Sequence, residues 1–445
     1  MDGERRKTPL GPAVAIAPGA RVDKFEVFFD LVFVVSFFII TRATAIDITG
    51  RALLHAMLVL AVLWWCWVVH SMVATRVRLG EGFVPVLMVV AMASLFAFAL
   101  SLPQAFGDPR QGAAGPLVVA GSYVAIRAVH LVLFWKAVRE DPTDRRHLTR
   151  FMPELAGSTV LLVAAALIPP QLADPDRAAL VRDVLWITVV LLQYGTGVVA
   201  GAWGWGVTSA EHWTERYDLI LIIALGESII SAGVGGNLLG KPVTWPAITA
   251  ATLGIVFTAA LWWAHFDLIG PAARIALHAA TGRARRTMAR DAYAYLYLPM
   301  IAGIILFAIG TEELVRVVTD PADGATARPH GPAVPMLFGG VFCYLATNLL
   351  FQLRTLGTLT WTRLGVLVAL AAGMPLGQHL SALGALGLLT AICVGLVAVE
   401  VVVLADSRRP LRKLVHDERV NHEAQEAAWR ARWHEGEPPA EGEPT

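Results

Sequence analysis

The sequence predicts an all-α integral membrane protein, a bundle of about twelve helices that cross the bilayer. Of its 445 residues, 56% are hydrophobic and only 16% are charged, whereas soluble globular domains have about 45–50% apolar and about 25% charged residues. The mean hydropathy is +0.59. This composition excludes a soluble multidomain enzyme, a nucleic-acid-binding protein and a disulfide-rich secreted protein.

Twelve stretches of the chain are long and apolar enough to be spans, because a helix needs about 20 predominantly apolar residues to cross a bilayer. In order, they are residues 25–46, 52–74, 82–102, 115–138, 154–170, 178–200, 216–237, 243–268, 293–315, 332–353, 361–378 and 382–404.

Lysine and arginine residues predict the orientation of these spans. With the N-terminus in the cytoplasm, the cytoplasmic segments carry 27 basic residues and the outer loops carry 8. This asymmetry is the one that the positive-inside rule describes, so both termini are expected in the cytoplasm. The predicted organisation is a cytosolic tail (1–24), a membrane domain (25–404) and a charged cytosolic tail (405–445) that is first helical and then disordered.

Short matches between spans suggest an internal repeat of six plus six helices. The first and seventh spans contain FDL and YDL, the second and eighth each contain a tryptophan pair, and the fourth and tenth contain YVAIR and YLATN. Matches in the same order are expected if residues 25–200 and 216–404 form two halves related by an axis along the membrane normal. Apolar helices also produce such matches by chance, so a bundle without a repeat remains an alternative.

Two charged residues are predicted deep in the membrane, where ionisable groups are costly and often functional. Glu227 follows Arg216 by eleven residues, which places it about 17 Å along its helix, near the bilayer midplane. Arg127 lies at a similar depth in the fourth span. We expect Arg127 and Glu227 to pair, directly or through water, either as a structural ion pair or as a proton- or ligand-coupled site.

A second polar group is predicted at the cytoplasmic edge of the bundle. Its members are Glu26, Asp30, His70, Arg216, Tyr217, Asp218, His265 and Asp267. They would line a pocket open to the cytosol, or simply reach the membrane interface as charges at helix ends do.

No metal or nucleotide site is predicted. The three cysteines (Cys66, Cys343 and Cys393) lie in apolar runs without metal-ligand spacing. His265 and Asp267 are two residues apart and do not share a helical face. The absence of a Walker loop argues against ATP-driven transport by this chain alone.

Five longer motifs resemble those of a known family. FEVFFDLVFVVSF (25–37), SLPQAFGD (101–108), HWTERYDLILIIALGESII (212–230), WWAHFDL (262–268) and DAYAYLYLPMIAGIILFAIG (291–310) are similar to signatures of the bacterial low temperature requirement A family. The resemblance implies a multi-pass protein of the bacterial inner membrane, but no established reaction or substrate.

The resemblance also indicates which positions are candidates for functional residues. The family's motif positions correspond here to Glu26, Asp30, Arg216, Glu227, Ser228 and Asp267, and Arg127 fits the family's polar fourth helix. The sequence departs from the pattern at Tyr297, where His is expected, and at His265, where an aromatic residue is more usual. Residues 74–81 also lack the expected Asn and acidic pair. These departures predict a narrower role for this chain than the family name suggests.

The first functional hypothesis is secondary transport or handling of a small solute or lipid. Glu227 would be the coupling or binding carboxylate and Arg127 its counter-charge, with Arg216, Glu26 and Ser228 completing a substrate-binding set. The expected partners are the bilayer and a small-molecule or lipid substrate, with no nucleic acid. The sequence predicts neither the oligomeric state nor a cofactor.

The alternative is a membrane-embedded enzyme acting on an isoprenoid or other lipid, for example a terpene cyclase. Asp30, Asp267 and His265 would then protonate a double bond, or hold a Mg²⁺–diphosphate group together with Arg216. A third interpretation is a structural membrane protein without a reactive site.

Overall fold

The computed structural model describes residues 22–77, 82–107, 113–138, 142–199, 207, 209–235, 244–320, 327–329 and 331–402, with parts of 405–428. These residues form fourteen α-helices, which confirms the predicted all-α class. The helices are α1 (Lys24–Ile46), α2 (Gly50–Ala74), α3 (Val84–Ala105), α4 (Ala114–Val138), α5 (Pro142–Leu167), α6 (Pro175–Val199), α7 (Ala210–Gly235), α8 (Trp245–Phe266), α9 (Ile269–Ala279), α10 (Gly282–Met288), α11 (Tyr297–Thr319), α12 (Ala333–Leu356), α13 (Trp361–His379) and α14 (Ala382–Val402).

A helix occupies each of the twelve predicted spans. In the described part of the chain, ten helical stretches are long and apolar enough to cross a membrane, so the protein is a multi-pass membrane protein. Helices α7 and α13, which contain the seventh and eleventh predicted spans, are not among those ten. The count of twelve spans and the cytoplasmic position of both termini stay predictions.

Local sequence signals explain where several helices begin and end. The side chain of Asp23 caps α1 by accepting a hydrogen bond from the Phe25 amide (3.3 Å). Thr49 caps α2 in the same way through the Ala52 amide (3.2 Å), as expected for Asp and Thr at this position. Helix α12 ends at Leu356 and is capped by Gly357, whose φ of +67° is strained for other residues.

The long helices pack in the same order in the two parts of the chain. Helix α1 packs on α2 and α3, and α7 packs on α8 and α11. The successive pairs α3–α4, α4–α5 and α5–α6 correspond to α11–α12, α12–α13 and α13–α14. Helix α2 packs on α6 as α8 packs on α14. Helix α1 connects the two groups, because it also packs on α7 and α11.

Helices α11 and α12 approach each other closely at small residues. A Cβ atom on Gly303 would lie 2.7 Å from both the Gly340 carbonyl oxygen and the Tyr344 amide nitrogen. Only glycine fits at such a backbone contact, which is how small residues bring membrane helices together.

The terminal tails are described only in part. Residues 1–21 and 429–445 of the predicted tails lie outside the described residues, while residues 412–418 are helical. Arg412 of this segment binds Asp267 at the end of α8 (3.2 Å), and Glu418 binds Arg274 of α9 (3.0 Å). The C-terminal segment is therefore tied to the cytoplasmic face that the sequence predicts.

Candidate functional site

A buried ion-pair network joins α1 to α7. The Arg216 guanidinium donates from Nη1 to Glu26 Oε2 and from Nη2 to Asp30 Oδ1, both at 2.7 Å. Glu26 and Asp30 lie one turn apart on the same face of α1, so a single arginine reaches both. All three side chains are at most 2% exposed.

Two further side chains complete what we call the Arg216 cluster (Glu26, Asp30, Trp67, His212 and Arg216). His212 Nε2 lies 3.0 Å from Glu26 Oε2, and Trp67 Nε1 donates to Asp30 Oδ1 (2.7 Å). The Arg216 guanidinium also lies 5.4 Å from the centre of the Trp67 ring, within the range of a cation–π interaction. The second oxygen of Asp30, Oδ2, has no hydrogen-bond partner among the described residues.

Aromatic rings surround this cluster. The Tyr217 ring is central, with ring centroids 4.8–5.9 Å from those of Trp64, Trp67, Trp213, Tyr293 and Tyr297. All of these side chains are buried. Their spacing matches favourable aromatic pairing, so the Arg216 cluster adjoins a buried group of aromatic rings through Trp67.

Arg127 does not pair directly with Glu227, so the direct ion pair expected from the sequence is wrong. Arg127 Nη2 instead binds Glu154 Oε2 of α5 at 2.5 Å, with both side chains at most 4% exposed. Glu227 accepts a hydrogen bond from Ser231, one turn further along α7. The sequence placed both charges at a similar depth, but α4 packs on α5, and the acid nearest to Arg127 is therefore Glu154.

Glu227 and Ser228 lie in α7, close to a small cavity. Ser228 donates to the Leu225 carbonyl (2.7 Å) and lines a cavity of about 160 Å³ together with Thr258 and Thr311. The second carboxylate oxygen of Glu227 has no partner in the described part of the chain.

His265 belongs to a different buried network, between α8, α12, α13 and α14. Asn348 Nδ2 lies 2.7 Å from His265 Nδ1, and its side-chain oxygen accepts a hydrogen bond from Arg363 (2.5 Å). Arg363 also binds Glu400 through Nε (2.7 Å). Tyr297 lies 3.3 Å from the other nitrogen of His265, so the two residues that depart from the family pattern contact each other.

The residues predicted at the cytoplasmic edge therefore divide into separate groups. Glu26, Asp30 and Arg216 come together in the Arg216 cluster. His265 lies in the Asn348–Arg363 network, and Asp267 binds Arg412 beside a cavity of about 300 Å³. No described contact joins Asp267 to Asp30.

Sequence reasoning did not select six of the residues in these networks. They are Trp67, Glu154, His212, Asn348, Arg363 and Glu400. Signals were available for two of them: His212 lies one turn before Arg216, and Glu400 is an acid inside the apolar twelfth predicted span.

Comparisons with known proteins agree with the motif resemblance. The profile of the family described as "Bacterial low temperature requirement A protein (LtrA)" matches residues 21–398. An uncharacterized protein of Rhizobium meliloti (strain 1021) is 27% identical over 299 residues, which cover 64% of this chain and 68% of that protein.

Proposed function

This chain belongs to the bacterial low temperature requirement A family, and we propose that it is a secondary transporter of a small solute or lipid in the bacterial inner membrane. Its two halves are α1–α6 and α7–α14, and transport proceeds by movement of one half against the other. The similar packing order in the two halves supports this arrangement.

One observation carries the proposal: α1 is bound to the other half by ion pairs near both of its ends. Near the start of α1, Glu26 and Asp30 bind Arg216 of α7. Near its end, Arg42 binds Glu312 of α11 at 2.8 Å. Twelve residues separate Asp30 from Arg42, which corresponds to about 18 Å along a helix.

The ion pairs at the two ends of α1 differ in how deeply they are buried. Arg216 is fully buried, whereas 41% of the Arg42 side chain is exposed. In the proposed mechanism, the described conformation is the one in which the cytoplasmic end of the pathway is closed. Alternating access requires that such contacts break in turn, and substrate binding would favour the state in which the inner contact is broken.

Distances between spin labels test this mechanism without knowledge of the substrate. In a background without the three native cysteines, one labelled pair replaces Val199 and Trp361 at the predicted cytoplasmic side. A second pair replaces Ile46 and Trp245 at the predicted outer side. All four side chains are at least 79% exposed, so labels at these positions should not disturb packing.

Arg216→Gln should lengthen the distance of the cytoplasmic pair and shorten that of the outer pair, as measured by pulsed electron paramagnetic resonance in nanodiscs. The matched control is Arg177→Gln, because Arg177 pairs with Asp174 only at the surface. Unchanged distances for both label pairs in a folded Arg216→Gln protein would contradict the proposal and favour a structural role.

A second candidate function, an enzyme acting on an isoprenoid, is favoured by the free oxygen of Asp30 inside aromatic walls. A carboxylic acid in this position could protonate a double bond, and the rings would stabilise the resulting cation. The test is incubation of purified protein with geranylgeranyl diphosphate and Mg²⁺. A product that Asp30→Asn abolishes would support the enzyme, and the absence of product with the wild-type protein would count against it.

A further inference from the structure

Two buried histidines between α2 and α4 have no hydrogen-bond partners in the described part of the chain. The ring centroids of His70 and His130 are 5.5 Å apart, and the two residues are 0% and 2% exposed. None of their four ring nitrogens makes a hydrogen bond there. Buried polar groups are normally satisfied, so these nitrogens indicate a missing partner.

Arg127 has free hydrogen-bond donors beside them. Its Nη2 binds Glu154, but Nε and Nη1 have no partner among the described residues, although Arg127 is only 4% exposed. His130 follows Arg127 by three residues, so the two side chains are neighbours on α4.

Arg127 and His130 both line a cavity between α2, α4 and α5. Its volume of about 60 Å³ exceeds the 10–15 Å³ that a single water requires, by roughly four-fold or more. The other lining residues are apolar: Val69, Met72, Leu131, Phe134, Met152 and Leu155. The cavity thus has a polar end and apolar walls, which fits a molecule with a polar head and an apolar chain.

Charge balance restricts which polar group of a ligand can bind in this cavity. Arg127 is already neutralised by Glu154, so a divalent cation or a phosphate dianion would bring uncompensated charge into a buried site. A carboxylic acid that binds with its own proton adds no charge to the site. Its O–H donates to a ring nitrogen of neutral His130, and its carbonyl oxygen accepts N–H hydrogen bonds from Arg127.

We propose that this cavity binds a monocarboxylic acid with a short apolar chain, with the carboxyl group on Arg127 and His130 and the chain between α2, α4 and α5. His70, whose ring centroid lies 5.5 Å from that of His130, is not one of the residues that line the cavity. This inference does not depend on the transport proposal, since a binding site would remain if no movement of the two halves were found.

Native mass spectrometry of the detergent-purified protein tests the proposal with octanoate, octanol and acetate as probes. One octanoate should bind per chain, and octanol and acetate should bind at least tenfold more weakly, because octanol lacks the carboxyl group and acetate lacks the chain. Octanol binding equal to that of octanoate would overturn the assignment of a carboxyl group and indicate a site for lipid chains.

Two variants locate the site. Leu131→Trp fills the cavity, and its matched control is Val132→Trp at the next residue of α4, where the side chain is 41% exposed. Leu131→Trp should weaken octanoate binding at least tenfold, and Val132→Trp should leave it unchanged. Full binding in Leu131→Trp would place the ligand elsewhere.

His130→Phe keeps an aromatic ring at this position and removes the ring nitrogens, while the Arg127–Glu154 pair stays intact. It should also weaken octanoate binding at least tenfold, and size-exclusion chromatography would verify that the variant is folded. Unchanged octanoate binding in folded His130→Phe would overturn the proposed role of the histidine.

Discussion

Arg216 offers a direct test of how much the buried network stabilises the protein. Its guanidinium makes ion pairs of 2.7 Å with Glu26 and Asp30, and all three side chains are at most 2% exposed. Arg216→Met would leave two carboxylates with one partner fewer in a low-dielectric interior. Breaking a buried pair by removing one partner typically costs about 3–5 kcal/mol.

We therefore expect Arg216→Met to lower the free energy of unfolding by at least about 3 kcal/mol. The matched control is Arg177→Met, because Arg177 and Asp174 pair at 3.3 Å with side chains 81% and 49% exposed. Surface pairs of this kind contribute about 0–1 kcal/mol. Reversible unfolding in mixed detergent micelles, followed by tryptophan fluorescence, measures both losses.

A compensating substitution separates charge burial from simple loss of packing. Asp30→Asn added to Arg216→Met removes one of the two stranded charges, while Glu26 keeps His212 as its partner at 3.0 Å. The double variant should recover about 1–3 kcal/mol, the desolvation penalty of an unsatisfied buried group. If Arg216→Met costs no more than Arg177→Met, or if the double variant recovers nothing, the reasoning is refuted.

Three further predictions concern other parts of the bundle. Glu227→Gln should abolish proton-coupled solute uptake in vesicles. It should change the free energy of unfolding by less than about 1 kcal/mol, because the amide oxygen still accepts a hydrogen bond from Ser231. Undiminished uptake would exclude Glu227 as the coupling group. Asn348→Leu should lower the free energy of unfolding by about 1–3 kcal/mol, because it leaves His265 and Arg363 each without one hydrogen bond. An unchanged unfolding curve would argue against the Asn348–Arg363 network. Gly303→Ala should lower the free energy of unfolding by about 1–3 kcal/mol through overpacking against α12. The control Gly339→Ala, with open space around its Cβ, should be nearly neutral. Equal unfolding curves for the two variants would show that α11 and α12 can separate without cost.

The helices of this protein were largely predictable because the relevant signals are local. A span needs a run of apolar residues, and its ends follow from flanking charges and capping residues such as Asp23 and Thr49. Helices α9 and α10 were not predicted, because short helices after the eighth predicted span carry no signal of span length. The same packing order in the two groups of helices supports the suggested repeat, which stays a prediction.

The sequence predicted the residues of the site better than it predicted the contacts between them. Glu26, Asp30 and Arg216 were predicted at one depth, and the structure brings them together. Arg127 was predicted to be buried, but with the wrong acid. The expectation rested on depth alone, and depth does not specify which face of a helix meets which neighbour.

The sequence by itself determined that this chain lies in a membrane, where its long helices run, and that Arg127 and Glu227 are buried in them. Hydropathy and charge act residue by residue along the chain, so a linear pattern records them. Only the tertiary structure decided that Arg127 meets Glu154, that Arg216 joins α1 to α7, and that His265 is held by Asn348. Each of these contacts depends on the rotation of two helices about their axes and on which helices are neighbours, and packing over the whole bundle sets both.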